Sequence, residues 1–117
     1  MKTIEAKGDY IYVKYEEAYS KKIIIELMEE TYKKSNELGC YKLLGDISTM
    51  EGKVSTIDRF EFGVKGANLF RGGYKIALIY RPEEINRFAE TVSINRGLRA
   101  RIFSDKDTAL KWLLGKD

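Results

Sequence analysis

Asp46, Ser48 and Ser55 are the residues whose types and spacing best suit polar chemistry in this chain. Asp46 ends an apolar run, Tyr41 to Ile47, and the carboxyl end of a buried strand is where open α/β sheets commonly hold ligands. Ser55, with Asp58 three residues on, has the spacing of a helix capping box. Backbone N–H groups at such a helix start favour an anion, including a phosphate placed on the serine itself. Ser55 is thus the candidate phosphorylation site, with Thr56 beside it. A strand-ending turn followed by a helix cap explains the same residues without any function, and that plainer reading is preferred. Arg99 and Arg101, with Arg96 nearby, are the candidate anion contact, although arginines so placed more often shield an exposed sheet edge.

What the chain lacks is equally informative. It has no histidine and one cysteine, Cys40. A Ser-His-Asp triad or a Cys-His pair cannot be built within it, a structural zinc site is excluded, and no internal disulfide can form. Cys40 reads as a structural thiol. Gly63-Val64-Lys65-Gly66 lies inside a helical pattern and Arg71-Gly72-Gly73 precedes a strand, so neither is a phosphate loop. Catalysis would have to rest on carboxylates, lysines, tyrosines or Cys40. The chain is therefore read as a non-enzyme with no cofactor and no metal.

The 21 basic and 18 acidic residues give a net charge of +3, too even a balance to predict nucleic-acid binding. A chain of 117 residues, 44% hydrophobic and 33% charged, is expected to form one globular domain over residues 1–117. Met1-Lys2-Thr3-Ile4-Glu5-Ala6-Lys7 shows no signal-peptide pattern. The longest aliphatic run, Ile23-Ile24-Ile25, is far too short for a membrane span. A cytoplasmic location is expected.

The elements that must position these residues follow from periodicity. Two strands fall between Thr3 and Tyr15 around a Gly8-Asp9 turn, with Ile11, Val13 and Tyr15 on one face and Tyr10, Tyr12 and Lys14 on the other. A helix runs from Ser20 to Leu38, capped by Ser20 and ended by Gly39. After the Tyr41 to Ile47 strand and a loop from Ser48 to Val54, a second helix opens at Ser55. Its apolar stripe is read as Ile57, Phe60, Val64 and Ala67. Phe60, Phe62 and Phe70 with Gly63 and Gly66 make this helix unusual, either a core helix or the wall of an apolar pocket or partner surface. Tyr74 to Tyr80 is a central strand. A third helix is expected from Pro82, burying Ile85, Phe88, Ala89 and Val92, then an edge strand from Leu98 to Phe103. The last helix is capped by Ser104 with Asp107 and faces inward through Ala109, Leu110, Trp112 and Leu113. The fold class is α/β: one open, mixed sheet of five strands with four helices, in the order ββαβαβαβα. The expected core is Ile24, Leu27, Ile76, Leu78, Phe88, Ile102, Leu110 and Trp112.

The stretch Asn95-Arg96-Gly97-Leu98-Arg99-Ala100-Arg101-Ile102-Phe103-Ser104-Asp105, followed by Ala109-Leu110-Lys111-Trp112-Leu113, resembles the end of the SpoIIAA-like proteins. These are relatives of the STAS domain, the anti-sigma-factor antagonist fold. The resemblance implies a non-enzymatic regulator that binds a protein partner under the control of phosphorylation. The family's switch serine lies at the start of the helix after the third strand, in an Asp-Ser-Ser-Gly setting. Here Asp46-Ile47-Ser48 looks like the end of that strand, and Val54-Ser55-Thr56-Ile57-Asp58 stands where the switch would be. The same branch is similar in shape to lipid-carrying domains, so a hydrophobic small molecule held under the second and third helices is the alternative to a protein partner. A homodimer is a further option. The expected functional surface is Asp46, Ser48, Ser55, Thr56, Phe60 and Phe62.

Overall fold

The computed structural model describes residues 2–86, 91 and 94–115. The chain starts as an antiparallel hairpin, β1 (Lys2–Ala6) and β2 (Ile11–Tyr15). Gly8 turns it at a φ of 85°, a left-handed conformation that costs glycine nothing. Helix α1 (Lys21–Leu38) begins where Ser20 Oγ accepts from the Ile23 amide and ends at Gly39, whose φ is 64°. Its buried line is Leu27, Thr31 and Ser35, four residues apart. The two hydroxyls on that line are satisfied: Thr31 donates to the Leu27 carbonyl, and Ser35 bonds the Tyr32 carbonyl and the Tyr74 hydroxyl.

Three parallel strands complete the sheet: β3 (Lys42–Asp46), β4 (Lys75–Ile79) and β5 (Arg99–Phe103), in the order β1-β2-β3-β4-β5. Between β3 and β4 lies α2 (Thr56–Leu69), and α3 (Lys106–Leu113) follows β5. The register aligns side chains in rows across the sheet. Ile11, Leu43, Ile76 and Ala100 form one row, and Val13, Gly45, Leu78 and Ile102 another, both facing α1 and α2. Tyr12, Leu44, Ala77 and Arg101 form a row on the opposite face. There Leu44, Ala77, Ile79 and Phe103 pack on Ala109 and Leu113 of α3. The sheet is thus covered on both sides, and its central strands are apolar on both faces, as parallel strands require.

The hairpin, α1 with both its caps, and the five strands fall where periodicity puts them. Four expectations change. Three α-helices have both ends among the described residues, against the four expected, and Thr91, Ile94 and Asn95 between β4 and β5 are also helical. Pro82–Glu84 form one turn of 3-10 helix, and Ile85 is already extended, so no continuous helix leaves Pro82. Proline gives a good helix start, but the first turn here is used to place Glu84 (below). Phe88, Ala89 and Val92 of the expected third helix lie outside the described residues. The last helix is capped by Asp105, which accepts from the Thr108 amide, rather than by Ser104; a carboxylate one residue on takes the same role. The inward face of α2 is Gly63, Gly66 and Ala67, with Phe62 beside them, while Ile57 and Phe60 are exposed, so two of the large apolar residues of the expected stripe lie on its outer face. Finally, of the expected core only Leu27 is buried. Ile24, Ile76, Leu78, Ile102, Leu110 and Trp112 are half-buried, and Phe88 is outside the described residues. Leu110 and Trp112 flank α3, whereas Ile24, Ile76, Leu78 and Ile102 border a cavity.

Leu44 and Leu78 therefore should not be equivalent. Leu44→Ala removes a fully buried side chain and should cost about 2–5 kcal/mol. Leu78→Ala, beside space that already exists, should cost less. Urea denaturation of the two variants checks the order.

Candidate functional site

The space lies between the sheet and the two helices on its α1/α2 face. Its volume is about 230 Å3 and its walls are almost wholly apolar. The floor comes from the two inward rows of the sheet, through Val13, Leu43, Ile76, Leu78, Ala100 and Ile102. Ile24, Leu27 and Met28 of α1 form one wall, and Phe62, Gly63 and Gly66 of α2 the other. Glycine at 45 shapes the floor: a Cβ there would lie 2.9 Å from Leu78 Cδ1, so its absence leaves room for that side chain. At Gly66 an added Cβ would meet Leu98 and Met28 at an ordinary 3.7 Å. The small residues of α2 therefore leave a gap above the sheet rather than a tight helix–sheet contact. An aromatic cluster packs at the opposite end of the sheet from the Asp46 loop: Phe70 and Tyr41 each lie against Tyr74, at 5.2 and 5.1 Å between ring centres. Phe70 also lines the cavity.

At the carboxyl end of the strands, the expected polar site separates into parts. Asp46 is an Asx turn: Oδ1 accepts from the Ser48 amide at 3.0 Å and from Ser48 Oγ at 2.6 Å. The row alternation turns its side chain to the α3 face, where the Tyr12 hydroxyl approaches Oδ2 at 3.4 Å. Ser55 caps α2, its Oγ accepting from the Asp58 amide at 3.1 Å. Ser55 and Thr56 are exposed. Asp46 and Ser48 are thus not gathered with Ser55 into one polar pocket. The Asp58 carboxylate does not complete the expected box with the Ser55 amide; it accepts from the Tyr19 hydroxyl at 2.6 Å and lies 3.7 Å from Lys21, which also pairs with Glu61. Phe62 faces inward and meets the Tyr19 ring edge-on at 6.3 Å, while Phe60 faces outward beneath the Arg96 guanidinium at 5.6 Å. Arg99 and Arg101 lie on the edge strand, exposed. The Arg101 guanidinium sits over the Phe103 ring at 5.4 Å, on the α3 face.

Sequence reasoning missed the residues that hold this end together. Arg81 donates to the carbonyls of Met50 and Gly52, pinning the loop after β3 against the end of β4. On the loop's other side the Tyr19 amide donates to the Glu51 carbonyl at 2.7 Å. Arg59 reaches back from α2 to the Val54 carbonyl, the Glu84 carbonyl and the Glu84 carboxylate. Tyr80, 4% exposed, lies beneath both guanidiniums, at 5.7 and 5.3 Å. Burial raises its phenol pKa, and the two arginines oppose that rise. Met50, fully buried, plugs the loop into the core. Two apolar residues, Met50 and Val54, within an otherwise polar loop were the available sign.

The comparisons bear on the fold. The arrangement defines an α/β class in which one mixed sheet, opened by a hairpin, carries two helices on one face and the last helix on the other. A crystal structure of an uncharacterized protein of the DUF3478 family from Shewanella loihica PV-4, with a SpoIIAA-like fold, matches this chain at a TM-score of 0.55 and 23% identity. The match covers 97% of this chain and 92% of that one. The chain has the SpoIIAA-like fold. No protein-family model and no curated protein matches the sequence. Among the described residues, no helix is long and apolar enough to cross a membrane.

Burial, and then the bond to Asp58, pushes the Tyr19 phenol well above its usual value. A raised folded-state pKa gives stability that is complete below the unfolded value, about 10, and lost as the pH rises above it. Stability should therefore fall from about pH 10 upward, and less steeply in Tyr19→Phe. Urea denaturation of both proteins across that range measures the difference.

Proposed function

We propose that this is a non-enzymatic binding domain that holds an apolar small molecule between its sheet and helices α1 and α2, as a carrier or sensor. The cavity carries this reading. Interiors normally close-pack, with few voids larger than a water molecule, yet here four side chains of the inward rows and α1 stay half-buried around a common space. Pockets for small molecules are concave, mostly apolar and largely preformed. The loop end, fixed by Arg59 and Arg81, supplies rigidity rather than chemistry. Native mass spectrometry of the chain purified from its source cells should show a retained small molecule, lost in Ile76→Phe, which fills the space. A chain that carries no added mass and binds no member of a panel of hydrophobic compounds would rule this reading out.

The outer face of α2 favours a second reading, a protein contact of the STAS type. Ile57 is 72% exposed and Phe60 42%, and Ile94 is 48% exposed. Ser55 at the start of the same helix is accessible to a kinase, and a phosphate there would meet the helix N-terminus but also Asp58 and Glu61. Replacing both Ile57 and Phe60 by serine should change stability by no more than about 0.5 kcal/mol, as for other surface positions. It should also abolish cross-linking to a partner in the source cells. Cross-linking that persists in the double variant would remove this surface from consideration.

A further inference from the structure

We infer that the cavity takes a neutral, wholly apolar molecule the size of a bicyclic aromatic in preference to fatty acids and other charged lipids. This rests on the reading above that the cavity is a binding site. The size follows from volume. An aliphatic cavity of about 150 Å3 holds benzene, roughly 25 Å3 per carbon. A cavity of about 230 Å3 then holds about nine such atoms, close to the ten carbons of naphthalene and well short of a long acyl chain.

The neutrality follows from where the bordering polar groups point. Thr31 spends its proton on the Leu27 carbonyl at 2.7 Å, and Tyr15 on the Ala18 carbonyl at 2.6 Å. Tyr19 donates to Asp58. Arg101 borders the cavity, but its guanidinium lies over Phe103 on the far face of the sheet. Asp46 also borders it, with its carboxylate held by Ser48 and Tyr12. Among the described residues, no cation reaches inward to pair with a carboxylate or phosphate, so a charged head would have to stay at the cavity's open side, because an ionised group buried without a partner is strongly disfavoured. The aromatic preference follows from Met28, Met50 and Phe62 in the walls, because thioethers and ring edges favour aromatic faces.

The purified chain would be titrated with naphthalene, octanoate and palmitate, with binding read from side-chain methyl resonances. Naphthalene is expected to shift the methyls of Leu27, Met28, Ile76 and Leu78, and to bind about tenfold or more tighter than either acid. Leu78→Phe and Ile76→Phe should each weaken it by about tenfold or more, through lost space. The resonances are read in the unaltered chain, so the result stands even where a variant fails to fold. Octanoate or palmitate moving the same methyls at comparable affinity would overturn the ligand class while leaving the cavity as a binding site. Naphthalene shifts confined to methyls away from the cavity would also overturn it. Silence from all three probes would remove the binding site itself.

Discussion

Strand order is the constraint from which the rest of this molecule follows. The strands stand in the sheet in the order in which the chain makes them. Parallel connections are right-handed in nearly all proteins. Two successive crossovers that step the same way therefore place α1 and α2 on one face. The other face is left for α3, which follows the last strand rather than joining two strands. With the register fixed, every second residue of four strands points into the α1/α2 layer, so its volume depends on what those few side chains fill.

That layer is underfilled on α2's side. Gly63, Gly66 and Ala67 are the residues this helix turns toward the sheet, and Gly45 lies in the row below. Small residues could have brought the helix down onto the strands, but the room left at Gly66 shows that they do not draw it that close. The helix is instead held at its two ends. Arg59 ties its first turn to the Glu84 carbonyl and carboxylate, and Phe70 at its C-terminal end packs with Tyr32 and Tyr74. Lys65 of α2 pairs with Glu29 of α1 at 3.0 Å on the surface between them. A helix pinned at both ends over small residues spans a gap, and the cavity is that gap.

The two arginines explain why a loop of polar residues can sit fixed at the carboxyl rim of the sheet. A guanidinium offers five donors in a rigid fork. Arg81 uses that fork on two carbonyls of the Met50–Gly52 stretch, while Arg59 bonds a carbonyl and a carboxylate at once. Both rest on the Tyr80 ring, so the polar clamp and the apolar core share one side chain. Glu84 reaches Arg59 because Pro82 begins a single tight turn and Ile85 leaves it extended.

Local signals determined a great deal. Period-two alternation fixed the inward faces of β2 and β5, Ser20 and Gly39 bounded α1, and Ser55 started α2, because each depends on residues within a few positions of one another. The end of the chain carried enough pattern to point to the SpoIIAA-like fold. The sequence could not say which side of α2 faces the sheet, because glycines and phenylalanines offer competing stripes and only the positions of β3, β4 and α1 choose between them. It could not show that Asp46 and Ser55 work apart, since that follows from a register that sends Asp46 to the opposite face. Nor could it reveal the Arg59 and Arg81 clamps or the cavity. Those contacts join residues 25 to 31 positions apart, and a void is set by what all its surrounding side chains leave unfilled, which no single stretch of sequence records.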